Sequence, residues 1–135
     1  MAIRHEDLVE RAEKLALALW SRTSAGDEGP KPDEGKNQLS KAIEVARASG
    51  SIRVFENWLL YQASRGSGSG SKFWMQEVQH DGKKNTLAEA LFEEIESLAH
   101  EYGDEKEEAL VWFLGYFRRA VVAGETLRKL KAQSA

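Results

Sequence analysis

Arg118 and Arg119 follow Trp112 and Tyr116 at helical spacing, and a second group of cations, Lys36, Lys41, Arg47, Arg53 and Arg65, lies upstream beside Asn37 and Gln38. Lysine and arginine attract phosphates, while Asn and Gln add directional hydrogen bonds. The mixture therefore suits a sugar-phosphate backbone better than it suits an acidic protein patch. Other chemistries find little material. His5, His80 and His100 are far apart, and none stands four residues from another, so no histidine metal motif is present and each reads as a surface or boundary residue. The acidic pairs Glu93-Glu94 and Glu107-Glu108 have the groups for acid-base work but read as solvated helix faces. No nucleophile elbow, P-loop or dinucleotide-binding glycine pattern occurs. The residues predict a non-catalytic protein without metal or cofactor.

The charges are segregated along the chain. Lys and Arg against Asp and Glu stand at 8 to 4 in residues 36–84, 1 to 9 in residues 85–112, and 5 to 1 in residues 113–135. Two basic segments thus frame an acidic one, which favours sign-matched contacts over an evenly mixed surface. A simpler cause covers part of this, since acids at Asp104–Glu108 and bases at Arg128–Lys131 suit the two ends of a helix dipole. That cause leaves Lys41, Arg47, Arg53 and Arg65 unexplained.

The elements that must position these residues are helices. At 135 residues, with 41% hydrophobic and 30% charged residues, the chain predicts a single soluble domain over 1–135. It contains no cysteine, which excludes disulfides and thiolate metal sites. No apolar run of signal-peptide or membrane-span length occurs, and the expected compartment is the cytoplasm. Leu8, Ala12, Leu15 and Leu19 predict an amphipathic helix from His5 to about Arg22. Ser24–Lys36, with both prolines, predicts a flexible connector. A helix capped by Asn37 should run to Ser49 and end at Gly50, and Ser51 should cap the next, whose inward stripe is Ile52, Phe55, Leu59 and Gln62.

Gly66–Ser71 alternates glycine and serine and reads as an engineered linker replacing a longer native loop. Lys72–His80 predicts a short helix or turn-rich segment, closed by Asp81-Gly82. Thr86 with Glu89, and Asp104 with Glu107, predict capping boxes for two helices, the first ending at Gly103 and the second reaching about Lys131. On that last helix Phe113 and Phe117 belong to an inward stripe. Trp112, Tyr116, Arg119 and Ala123 share a second stripe, of which Trp112 and Tyr116 predict an interface with a partner, and Gly115 would let another helix approach closely. The expected fold is all-α, a compact bundle of about five helices with a long C-terminal helix.

Asn37-Gln38-Leu39, Val54-Phe55-Glu56-Asn57-Trp58, Tyr61-Gln62-Ala63-Ser64-Arg65, Trp74 and Phe113–Arg119 together resemble the helical small subunit of type III CRISPR RNA-guided effector complexes, over about residues 36–123. The resemblance implies a compact helical subunit that stacks with copies of itself and with other subunits, beside guide RNA and target RNA, with no membrane contact. It implies backbone contact by Lys41, Arg47, Arg53, Arg65, Arg118 and Arg119, assisted by Lys36, Asn37 and Gln38, converging into one continuous basic track. In such complexes base pairing selects the sequence, so the subunit needs to read only backbone and shape. An acidic face over Glu89–Glu108 would meet a basic face of the next subunit. Two other readings stay open: a protein–protein adaptor docking its partner through the aromatic C-terminal helix, and a small enzyme whose active residues lay in the missing loop.

Overall fold

A computed structural model describes residues 3–21, 32–65, 72–80 and 82–134. Among them six helices and one β-hairpin form the fold: α1 (His5–Ser21), α2 (Pro32–Ser49), α3 (Ile52–Ser64), β1 (Glu77–His80), β2 (Lys83–Thr86), α4 (Leu87–Tyr102), α5 (Lys106–Val122) and α6 (Gly124–Ser134). A single helical turn occupies 72–74. The Gly/Ser tract at 66–71 and most of the expected connector lie outside the described residues.

The local signals act as their chemistry requires. Ser51 Oγ accepts the Val54 amide and starts α3, and Gly50 ends α2 at φ +59°, a conformation that suits glycine. Thr86 and Glu89 form a reciprocal capping box at the start of α4, which stops at Gly103. The second expected box does not form. Gly103–Glu105 instead make a 3-10 turn, and α5 begins without a side-chain cap.

Three expectations about element limits need correcting. First, α2 begins at Pro32, earlier than Asn37, because proline is tolerated in a first helical turn and the helix continues over Val121 and Phe73 at Gly35, where a Cβ would stand 3.0 Å from Val121 Cγ1. Second, the segment before Thr86 is a hairpin. Glu77 pairs with Thr86 and His80 with Lys83, and Val78 and His80 point inward while Glu77 and Gln79 stay exposed. Third, the long C-terminal helix is divided at Ala123. The Trp20 indole N–H donates to the Val121 carbonyl at 3.0 Å, and a Cβ on Gly124 would fall 1.7 Å from that nitrogen. An α1 side chain therefore takes a carbonyl from the end of α5 and lies where a continuous helix would carry its next side chain.

The core is one apolar cluster shared by all the labelled elements except β2 and α6, with Trp74, Tyr102, Phe55, Phe73, Phe113 and Phe117 its largest fully buried members. Each such side chain contributes roughly 1.5–3 kcal/mol by leaving water. Ile52, Phe55, Leu59 and Ala63 form the buried stripe of α3, so Ala63 takes the place expected for Gln62. The helix α5 is central. It packs most extensively on α1 and α2 and also on α4, burying Ala109, Leu110, Phe113, Leu114, Phe117, Ala120 and Val121. Its remaining face looks outward between α1 and α2, which positions the site below.

Candidate nucleic-acid interface

The helices α2 and α5 run antiparallel: Gly35 meets Val121 near one end and Ser40 meets Arg118 one turn further on. Towards the other end they leave a groove of about 500 Å3, lined by Ile43, Ala46, Arg47 and Gly50 from one side and by Glu107, Glu108, Val111, Trp112, Gly115, Tyr116 and Arg119 from the other. Its floor is apolar because α5 carries Val111 and Gly115 on the outward face. Among the described residues a Cβ at Gly115 would meet no atom within 4 Å, so none of the described helices approaches there and the floor is left open.

The stripe of Trp112, Tyr116 and Arg119 does face outward. Trp112 is 44% exposed, and its ring lies 5.9 Å from that of Tyr116 with planes 24° apart. The Arg119 guanidinium lies 5.7 Å from the centre of the Tyr116 ring, within cation–π range. From α1, His5 reaches the same pair: its Nδ1 is 2.8 Å from Tyr116 Oη, and its ring stands edge-on to Trp112 at 4.7 Å. Sequence reasoning set His5 aside, and no local signal could have found it, since the contact spans 111 residues.

The other cations separate. Lys36 and Lys41 are exposed on α2 but do not line the groove; Lys36 falls on the face of Ile43 and Arg47, eleven residues or about three turns earlier. Asn37 is exposed, whereas Gln38 is 6% exposed and faces the interior. Arg118 turns between the helices and donates from Nε to Ser40 Oγ at 2.9 Å. Arg53 stands on α3 near Glu56, whose carboxyl is pushed up by burial and by Glu96 against the pull of Arg53. Arg65 closes α3, donating to Gln62 Oε1 at 3.3 Å over the exposed Tyr61 ring. The single continuous track expected from the sequence is therefore not formed. Arg47 and Arg119 share one groove, and Lys36, Lys41, Arg53 and Arg65 lie outside it.

A second polar region lies where α1 meets α4, β1 and α6, at a cleft of about 600 Å3. Glu94, 8% exposed, is 3.3 Å from His80 Nε2 and accepts from Arg11 at 3.0 Å, and Arg11 also donates to Asp7 at 3.0 Å and to Ser97. Tyr102 Oη donates to Asp7 at 2.8 Å. Burial alone would raise the Asp7 carboxyl, but the Tyr102 and Arg11 hydrogen bonds and the Arg11 and Arg4 charges outweigh it and hold it below its ordinary value. His80, 4% exposed, is thus not a surface residue, and Glu94 is not a solvated one. Glu101 pairs with Arg4 at 2.7 Å and Glu93 with Lys83 at 3.4 Å, so with Glu94 part of the acidic segment is matched within the chain.

Among the described residues no group of His, Asp and Glu is placed to hold a metal ion, and no helix is long and apolar enough to cross a membrane. Comparison with protein-family models, with curated proteins and with solved structures returns no match.

Proposed function

We propose that this chain is a non-catalytic small subunit of a type III CRISPR RNA-guided effector complex, acting in the cytoplasm, where it stacks along the assembly and touches nucleic-acid backbone with Arg47 and Arg119. The observation that carries this reading is the α2–α5 groove, which brings two guanidiniums from distant parts of the sequence beside two outward aromatic rings. Among the described residues Arg47 has no ion-pair partner, so its charge is available to a phosphate. The compact helical fold suits a repeating architectural part, and selection by base pairing leaves the protein only shape and charge to read. The test is to co-express the tagged chain with the other subunits and a guide, and to extract RNA from the purified assembly. Recovery of guide RNA with this chain is the expected result, and a chain that never joins the assembly removes the reading.

A second reading has its own observation. Glu107 and Glu108 line the same groove beside Ile43, Ala46 and Val111, a lining that also suits a partner helix carrying basic residues, as an adaptor would dock. Glu107→Lys with Glu108→Lys separates the two. The added positive charge strengthens binding of single-stranded RNA under the first reading and weakens partner binding under the second.

A further inference from the structure

We infer that Trp112 and Tyr116 form a stacking platform for an unpaired base of a single-stranded nucleic acid, with His5 as its positioning residue; this rests on the groove being a nucleic-acid surface. Of the four indoles, Trp74 is fully buried, Trp20 and Trp58 are half-buried, and Trp112 is the most open. A centroid separation of 5.9 Å between nearly parallel rings is an offset arrangement, so Tyr116 does not cover the whole Trp112 face. His5 fixes the pair from outside. Its ring stands perpendicular to both, and its bond to Tyr116 Oη ties the platform to the first turn of α1.

Beside the rings the floor at Gly115 is open, and Arg47 and Arg119 lie on the groove walls. A nucleotide strand has that same alternation of flat apolar rings and anionic links, with the base on the indole and its flanking phosphates on the guanidiniums. Glu107 and Glu108 line the same groove at the end where the antiparallel helices bring Arg47, so of the two guanidiniums Arg119 is the less opposed by negative charge. The platform offers ring faces, so it takes any base.

The full chain is titrated with a short oligoadenylate and with an abasic phosphodiester of equal length, following tryptophan fluorescence and affinity. Oligoadenylate is expected to quench the fluorescence and to bind about 5- to 150-fold more tightly than the abasic strand, the range of one stacked base. Trp112→Leu should abolish both the quenching and the preference. Gly115→Leu, which fills the floor and favours helix, should abolish the preference with the fold intact. His5→Ala should reduce the preference at unchanged salt dependence, whereas His5→Gln, which can keep a bond to Tyr116, should restore part of it. Equal binding of the two strands by the unaltered chain, or a full preference in Trp112→Leu, overturns the platform. If Arg47→Glu with Arg119→Glu weakens neither strand, the nucleic-acid reading of the groove falls instead.

Discussion

The two faces of the bundle use arginine in opposite ways. On the α1–α4 side Arg11 is bound by Asp7, Glu94 and Ser97, and together with the Tyr102 hydrogen bond it holds the Asp7 carboxyl below its ordinary value. On the α2–α5 side Arg47 and Arg119 stand over an apolar floor with aromatic neighbours. The same residue type thus fastens helices on one face and, among the described residues, makes no ion pair on the other. The difference lies in whether carboxylates from another element reach it. Arg118 shows how narrow the margin is: one residue before Arg119, it points about 100° away and is taken up by Ser40.

Removing a partner on the fastened side should have the largest effect on stability. Glu94→Ala takes away the carboxylate that Arg11 and His80 share, and thermal or urea denaturation should show a loss of about 2–4 kcal/mol with binding at the groove unchanged. A groove that also lost affinity would mean the two faces are coupled. Arg118→Ala should cost about 1 kcal/mol, the usual worth of one hydrogen bond, and should leave the salt dependence of RNA binding as it was. A reduced salt dependence would move Arg118 to the ligand-binding group.

The smallest effect is in pH. Because the Asp7 carboxyl is depressed in the folded chain, its contribution is present above its unfolded value, about 3.9, and is lost as pH falls through the lower folded value. Stability measured from pH 5 downward should fall more steeply in the unaltered chain than in Asp7→Asn. Equal slopes would show that Asp7 is not held by Arg11 and Tyr102.

The parts of this fold that were legible in the sequence are those set by neighbours in the chain. Gly50, Ser51 and the Thr86–Glu89 box mark helix limits because capping needs only residues three apart. The outward stripe of Trp112, Tyr116 and Arg119 follows from helical period alone. What escaped depends on distance. Each strand of the hairpin has only four residues, too few for an alternation to stand out, although Asp81-Gly82 was a turn signal that fitted it. The division at Ala123 is imposed by Trp20, about a hundred residues earlier, and the burial of His80 and Glu94 by Arg11. Arg47 became a groove residue, and Arg53 and Arg65 did not, only once α2 lay against α5. Equal charges along the chain therefore could not reveal which of them converge.

The most direct test of the central claim is the affinity of the chain for single-stranded RNA over a range of salt, with and without Arg47→Glu and Arg119→Glu together. Each phosphate contact contributes about 0.7 to the slope of log affinity against log salt on a single strand. The double variant should bind more weakly with a slope shallower by about 1.4, at a melting temperature close to that of the unaltered chain. An unchanged affinity and slope would contradict the assignment of the α2–α5 groove as the surface that meets nucleic acid.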